Sequence, residues 1–221
     1  MNHFIVSAFC TFIPAFLVSI FFLFKKKTAS SHILSLYWLS IALWSCLVSM
    51  QFHLLRFMPE RIWGWFLHLG CIYIPIIFFH FATNYSRYPK KKIPLMVGYL
   101  IASLFVLLNT VTDSFTHGTA YRDSYAYPKP AIAYPFYFIF FVSIVTWGTI
   151  LLFQTAKKMP SSKNRLALFL FLIFHIAAYL GAMDNFLIMA DIRIFPLYPY
   201  GLYLAMPYVT IGSYLLYKIG I

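Results

Sequence analysis

Residues 166–190 read LALFLFLIFHIAAYLGAMDNFLIMA, an apolar run in which Asp184 is the only charged residue. A helix of about 20 residues crosses the roughly 30 Å hydrocarbon core of a bilayer, because each residue adds about 1.5 Å. The run is apolar on every side, whereas a surface helix of a soluble protein keeps a polar face. Residues 166–190 therefore predict a membrane-spanning helix.

Similar runs occur along the whole chain. Apolar residues make up 62% of the 221 residues and charged residues only 10%, which leaves too little polar surface for a soluble domain. The alternating ten-residue segments of a membrane β-barrel are missing, so the spans are predicted to be helices. The predicted fold is all-α and integral to the membrane, a seven-transmembrane helix bundle in one domain, residues 1–221. Its expected spans are residues 4–24, 33–55, 62–86, 93–115, 131–153, 166–190 and 197–219. The first run lacks a basic start and a cleavage site, so we expect a retained span and not a signal peptide.

The orientation of the bundle follows from its basic residues, because cytoplasmic loops carry an excess of Lys and Arg. Twelve of the 17 basic residues follow spans one, three, five and seven. These are Lys25, Lys26, Lys27, Arg87, Lys90, Lys91, Lys92, Lys157, Lys158, Lys163, Arg165 and Lys218. The opposite side has Arg56, Arg61, Arg122, Lys129 and Arg193, and all five acidic residues lie on or near it. The N-terminus is therefore predicted outside and the C-terminus in the cytoplasm.

Charge and motifs exclude several functions. The net charge of +12 is divided among short loops on one side, which favours attraction to anionic lipids over nucleic-acid binding. Cys10, Cys46 and Cys71 all lie in expected spans, so a disulfide framework is not predicted. The chain has no glycine-rich phosphate loop, no HExxH and no kinase signature, so we expect no catalysis within it and no cofactor.

The polar groups inside the spans are the candidates for a site, because each is costly in a bilayer unless it is paired. Asp184 shares a helix face with Ala177 and Gly181, whose small side chains allow a neighbouring helix to approach closely. Asp184 should then point into the bundle. Two interpretations remain open: Asp184 and Asn185 fix helix packing, or they form the floor of a pocket that opens to the outside.

Other polar residues at a similar depth are candidates for the walls of that pocket. These candidate ligand-binding residues are Gln51, His53, His68, Tyr198 and Tyr200. Gln51 and His53 are about 200° apart on a helix, so at most one of them faces inward. No histidine pair has the i, i+4 spacing of a helix-borne metal site, and no metal is predicted. Residues 116–130 form the longest connection and act either as a lid or as a linker.

Several stretches of the sequence carry a family resemblance. They are LYWLSIALWS at 36–45, IPIIFFHFATNYS at 74–86, NRLALFLF at 164–171, AAYLGAMDNFLI at 177–188 and IFPLYPYG at 194–201. With these stretches the chain resembles the N-terminal seven-helix sensor region of bacterial histidine kinases, and of related receptors with other output domains. In that family an Asp-bearing span six is followed by a Tyr-Pro-x-Gly turn, here Asp184 and then Tyr198, Pro199 and Gly201.

The resemblance implies a membrane-embedded input module in the bacterial cytoplasmic (inner) membrane. A small-molecule or membrane signal would shift the helices, and span seven would relay the shift, with Pro199, Gly201 and Pro207 as hinge or packing residues. The implied partners are the lipid bilayer, a cytoplasmic signalling domain or partner protein, and a second copy in a homodimer. Because the sequence stops at Ile221, it is either part of a longer receptor or acts through separate subunits. The alternative function is a small-solute transporter or carrier subunit.

Overall fold

The computed structural model describes residues 3–25, 28–122 and 125–221. Some residues of the charge and site predictions lie outside this description. They are Lys26, Lys27 and Asp123, together with the side chains of His53, Arg56 and Arg122.

The first half of the chain consists of helices that run back and forth. Helix α1 covers His3–Lys25, α2 covers Ala29–Ser49, the short α3 covers Gln51–Phe57, α4 covers Glu60–Tyr85 and α5 covers Lys92–Val111. The expected span 33–55 is therefore divided at Met50, whose backbone (φ −93°, ψ 5°) leaves the helical region. The expected span 93–115 is too long, because Thr112 is extended and its hydroxyl donates to the Leu108 carbonyl at 2.7 Å.

The second half begins with a β-hairpin. Strand β1, Thr116–Arg122, pairs antiparallel with β2, Tyr125–Pro130. Helix α6 then covers Tyr134–Lys158, so it begins and ends later than the expected span 131–153. Helix α7 covers Ser162–Ala182 and continues, after a turn at Met183, into α8, Asp184–Met189. Within the described residues, six helices are long and apolar enough to cross a membrane: α1, α2, α4, α5, α6 and the α7–α8 pair.

The last part of the chain, residues 197–218, consists of short helical pieces of different type; we call it the C-terminal segment. Its backbone leaves the helical region at Tyr198 and Pro199. It contains α9 (Leu197–Tyr200), a 3₁₀ turn (Gly201–Leu204), α10 (Ala205–Pro207), a π turn (Tyr208–Gly212) and α11 (Ser213–Lys218). The peptide bonds before Pro196 and Pro199 are cis. Pro207 has no N–H and its ring crowds the preceding turn, which accounts for the irregular backbone that follows.

The helices form a ring. Helix α1 packs on α2, α2 on α4, α4 on α6, α6 on α7, and α7 on the C-terminal segment, which returns to α1; α5 lies outside the ring against α4. Ser19 and Ser35 join α1 to α2, since each hydroxyl donates to the other residue's carbonyl at 2.9 and 2.8 Å. One end of the ring carries the hairpin, which we call the hairpin end. The other, the basic end, carries Lys25, Lys92, Lys158 and Lys218.

Burial follows the membrane pattern predicted from composition. The core is aromatic and includes Trp38, Trp63, Phe78 and Phe79, all fully buried. Large apolar side chains also point outward from the ring, among them Phe24, Leu100, Phe136 and Ile173. Apolar outer faces of this kind suit lipid and not water, so the chain is a multi-pass membrane protein.

Candidate functional site: a central cavity

A cavity of about 100 Å³ lies within the ring, towards the hairpin end. Its wall is formed by α1, α2, α4, α6, α7, α8 and the C-terminal segment, and Tyr127 and Pro128 of the hairpin contribute to it as well. Ala126 and Tyr127 are buried in the same core cluster as Phe4 and Trp63. The hairpin therefore covers the end of the cavity, as expected for a lid.

The cavity wall is mostly apolar and carries no formal charge from the described residues. Among the residues that the structure describes, no Lys, Arg, Asp or Glu side chain contributes to it. Its polar side chains carry hydroxyl, thiol, imidazole, indole and amide groups. These belong to Thr11, Tyr37, Trp44, His68, Cys71, Tyr127, Tyr134, Tyr179, Asn185 and Tyr208.

Three of these tyrosines begin a chain of buried hydrogen bonds. The Tyr37 hydroxyl lies 3.1 Å from that of Tyr179 and 3.0 Å from that of Tyr208. The Tyr208 hydroxyl lies 2.9 Å from Nδ1 of His175, and Nε2 of His175 lies 3.0 Å from the Thr149 hydroxyl. We call these five residues the tyrosine–histidine chain. It joins α2, α6, α7 and the C-terminal segment.

The direction of this chain follows from its last member. The Thr149 hydroxyl donates to the Val145 carbonyl at 2.8 Å, so its oxygen accepts from Nε2 of His175. Nδ1 of the neutral ring is then an acceptor, and Tyr208 donates to it. Because each hydroxyl has one proton, the order of donors is Tyr179, Tyr37, Tyr208, His175 and Thr149. Tyr179 is the first donor, so its hydroxyl oxygen accepts no hydrogen bond from the other members of the chain.

Packing holds this chain in place. The His175 ring stacks on Phe78 with centroids 4.2 Å apart, and the Tyr208 ring meets Trp38 at 5.0 Å. Tyr208 is also the first residue of the π turn, directly after Pro207. The irregular backbone of the C-terminal segment thus coincides with the point where that segment bonds to its neighbours.

Two of the predicted site residues do lie in the cavity wall. Nδ1 of His68 is 2.9 Å from the Gly64 carbonyl, and Nδ2 of Asn185 donates to the Ala182 carbonyl at 2.9 Å. A third, Gln51, is fully buried, and its Oε1 accepts the Ala126 N–H of the hairpin at 3.2 Å. Gln51 therefore holds the lid and does not line the cavity.

Asp184 points into the bundle, as predicted, but outside the cavity wall. It is 0% exposed, and within the described residues neither carboxylate oxygen has a hydrogen-bond partner. Ala178 and Ala182 of α7 and Asn185 of α8 line the cavity, whereas Gly181 of α7 packs against Gly201 of the C-terminal segment. A helix rotation of about 100° per residue separates Asp184 from its neighbour Asn185.

The remaining predicted residues lie elsewhere. Tyr198 packs near Phe4 and under the Arg193 guanidinium, and Tyr200 is 41% exposed beside His3. Neither tyrosine lines the cavity. The side chain of His53 lies outside the described residues. No group of three or more His, Cys, Asp or Glu side chains that could hold a metal ion occurs in the described part of the chain.

The predicted packing residues lie on α7 and in the C-terminal segment. A Cβ atom added at Gly181 would collide with the backbone of Gly201, and one at Gly201 would collide with that of Gly181. Ala177 is half-buried on the same helix, and Pro199 and Pro207 lie in the irregular C-terminal segment. Gly181 and Gly201 thus let two backbones meet at the hairpin end.

Tyr37, Tyr179 and Tyr208 are not among the residues predicted from the sequence. They lie inside α2, α7 and the C-terminal segment. A buried phenol needs a hydrogen-bond partner, so a tyrosine far from both ends of a span is itself a signal of a polar contact.

The fold and the cavity define a class: a multi-pass membrane bundle with a partly open central cavity of small-molecule size. The chain belongs to the family described as the N-terminal 7TM region of histidine kinase, whose profile matches residues 4–217. This confirms the resemblance seen in the sequence, and the family is a sensor region and not a catalytic domain. A comparison with curated proteins found no match.

Proposed function

We propose that this chain is the signal-sensing input module of a bacterial histidine-kinase-type receptor. In this proposal a molecule in the central cavity changes the position of the C-terminal segment. The supporting observation is that the cavity wall contains Tyr37, Tyr179 and Tyr208, whose hydroxyls bond α2 and α7 to that segment.

The mechanism is a shift between two helix arrangements. A ligand shifts such an equilibrium only by the difference in its binding free energy for the two states. A ligand that contacts the three tyrosines binds one arrangement of their hydroxyls more tightly than the other. The π turn that starts at Tyr208 has fewer regular backbone bonds, so the part from Ser213 to Lys218 can move as a unit.

The proposal includes a topology. The C-terminal segment would be the seventh span and would cross to the basic end, where a cytoplasmic output domain or partner protein receives the signal. The hairpin would lie outside the cell, over the cavity. The excess of Lys and Arg at the basic end supports this orientation in the bacterial inner membrane.

The test uses a chimera of residues 1–221 with the output domain of a histidine kinase. Tyr208→Phe removes a donor to His175 and an acceptor for Tyr37 without changing the ring. Two neutral hydrogen bonds of about 1 kcal/mol each bias a two-state equilibrium by about tenfold or more. We expect basal kinase output to change by at least a few-fold at equal membrane abundance.

Tyr73→Phe is the matched control. Tyr73 is also on a ring helix, and its hydroxyl bonds to Ser103 at 3.1 Å, but it does not line the cavity. Its output should equal that of the parent. If Tyr208→Phe and Tyr73→Phe behave alike, the tyrosine–histidine chain does not relay the signal. Uptake of a solute by proteoliposomes that contain the chain would instead support a carrier.

A further inference from the structure

We infer that the central cavity binds a small, uncharged molecule with an apolar body and a hydroxyl group that donates a hydrogen bond. This inference rests on the proposed sensor function and names the chemistry of its ligand.

Charge excludes the commonest polar ligands. Transfer of an ion into an apolar site is very costly unless an opposite charge faces it. Among the described residues, the wall offers neither a cation for a carboxylate or phosphate nor an anion for an amine. Asp184 is buried and precedes the wall residue Asn185 in sequence, but Asp184 itself does not line the cavity. The occupant is therefore neutral.

Three side chains in the wall present acceptor atoms to the cavity. The Gly64 carbonyl can only accept, so Nδ1 of His68 carries the proton of the neutral ring and Nε2 is an acceptor. Nε2 makes no hydrogen bond within the described residues, and the His68 side chain is only 2% exposed. An acceptor that is buried in this way is costly unless an occupant donates to it.

Two hydroxyls in the wall repeat this pattern. Tyr179 uses its proton on Tyr37, which leaves its oxygen as an acceptor at the end of the tyrosine–histidine chain. Thr11 donates to the Ser7 carbonyl at 2.8 Å, which leaves its oxygen as an acceptor too. These three residues come from α1, α4 and α7. Each is best satisfied by an O–H group of the ligand.

The volume limits the size of the ligand. An engineered apolar cavity of about 150 Å³ holds one benzene molecule in another protein. The central cavity, at about 100 Å³, is smaller, but it is partly open, so a ring or short chain of up to about eight non-hydrogen atoms fits only if one end extends into the opening. Side chains such as Ile41, Leu67, Phe141 and Ala178 would surround its apolar part.

The experiment compares two isomers, p-cresol and anisole. Both have eight non-hydrogen atoms and one ring, but only p-cresol donates a hydrogen bond. Thermal unfolding of the chain in nanodiscs is measured against the free concentration of each compound, after correction for uptake by empty nanodiscs. We expect p-cresol to bind about three- to tenfold more tightly, the range for one neutral hydrogen bond.

Two variants show which residues cause the difference in affinity between p-cresol and anisole. His68→Leu and Tyr179→Phe each remove one acceptor, and at least one of them should abolish the preference for p-cresol while anisole binding stays unchanged. The matched controls are His80→Leu and Tyr73→Phe, which break hydrogen bonds to Tyr99 and Ser103 away from the cavity. They should keep the preference.

Several outcomes overturn the inference. The first is binding of p-cresol no tighter than that of anisole, which includes binding of neither compound. The second is tighter binding of the charged analogues p-toluate or 4-methylbenzylammonium. The sensor proposal fails separately if p-cresol binds preferentially in nanodiscs but its addition does not change the output of the kinase chimera.

Discussion

Asp184 is a residue whose environment gives no structural reason for a carboxyl group. It is 0% exposed and its oxygens have no hydrogen-bond partner among the described residues. Burial without a partner costs free energy, so a carboxyl that only maintained the fold would be bonded. Asp184 follows Gly181, which contacts Gly201, by three residues, so we expect it to act in the proposed helix shift.

The prediction for this residue uses two substitutions. Asp184→Asn keeps the shape and Asp184→Leu removes all polar atoms, and neither breaks a hydrogen bond that the structure contains. We expect both variants to reach at least the parent's membrane abundance and to alter the output of the kinase chimera. Output and abundance are measured in the same cells.

A structural role for Asp184 gives a different pattern. In that case Asp184→Asn behaves as the parent and Asp184→Leu loses folded protein. Normal output at normal abundance in both variants would remove Asp184 from signalling altogether.

The residue candidates show where sequence reasoning stopped. His68 and Asn185 were predicted because buried polar groups are conspicuous in apolar spans, and both lie in the cavity wall. Tyr198 and Tyr200 were predicted because they lie at a similar depth to Asp184, and neither lines the cavity. Which face of a helix meets a cavity depends on rotations of about 100° per residue, and the sequence alone does not fix how the helices are rotated against one another.

At the scale of elements, the contact between α7 and the C-terminal segment depends on two glycines. A Cβ atom at Gly181 would overlap the Gly201 backbone, which cannot move as a flexible side chain can. We predict that Gly181→Ala lowers the free energy of unfolding by about 2 kcal/mol, within the range for overpacking. Gly181→Leu should be more destabilising still.

The control for this contact is Gly64→Ala on α4. A Cβ atom at Gly64 would lie 3.7 Å from the nearest atom, on Pro128, which is an ordinary contact distance. Thermal stability in detergent should therefore fall for Gly181→Ala and stay near the parent value for Gly64→Ala. Equal stability of both variants would mean that the two backbones are not in contact in the membrane.

The hairpin is a second element whose hydrogen bonds to the helices can be tested. The Gln51 side chain accepts the Ala126 N–H, and the Glu60 carboxylate accepts the Tyr121 hydroxyl at 2.6 Å. The second bond raises the pKa of Tyr121. This bond therefore holds at neutral pH and is lost only as the pH rises above the usual tyrosine range.

We predict that Gln51→Leu loosens the lid. The Ala126 amide loses its buried acceptor, and its hydrogen exchange should become about five- to tenfold faster, as expected for one bond of about 1 kcal/mol. Alkylation of Cys71 in the cavity wall should also accelerate, in a background where Cys10 and Cys46 are alanine. Glu60→Gln is the control, because an amide oxygen still accepts from Tyr121. Unchanged exchange in Gln51→Leu would show that the lid is held by apolar contacts alone.

Element boundaries were predictable where composition decides them. Helix α1 covers His3–Lys25 against an expected span of 4–24, because a lysine group ends the apolar run. The hairpin was expected only as a connection, since its strands pair through backbone bonds that short mixed sequences do not reveal. The turns at Met50 and Met183 were missed for a similar reason, as methionine is a good helix former and gives no stop signal.

At the scale of the whole molecule, the ring of helices supports the proposed coupling between the cavity and the C-terminal segment. The C-terminal segment closes the ring between α1 and α7, so a change in the cavity wall is also a change in the contacts of that segment. Composition predicted the membrane, and six of the seven expected spans correspond to helices of the described residues that are long and apolar enough to cross it. It did not predict the order of packing, which results from many side-chain contacts between distant parts of the chain.

The last prediction concerns the orientation of this ring in the membrane. Twelve Lys and Arg residues belong to the basic end and five to the hairpin end, and such a bias sets topology through the short loops beside each span. Reporter fusions after Lys92 and after Lys163 should be active in the cytoplasm, and a fusion after Tyr125 should be active outside. A fusion after Lys218 should also report the cytoplasm, because the C-terminal segment must cross if it is the seventh span.

The fusion after Lys218 is the decisive one. A segment of mixed helix type could lie in the hairpin-end half of the bilayer without crossing it, and a reporter after Lys218 would then be active outside. A contact near the basic end of α1 supports a full crossing. The rings of Tyr217 and Phe21 lie there with their centroids 5.4 Å apart. Replacement of Arg87, Lys90, Lys91 and Lys92 by glutamine provides the control. It weakens the charge bias, so it should produce a mixed reporter signal if the loop charges determine the orientation.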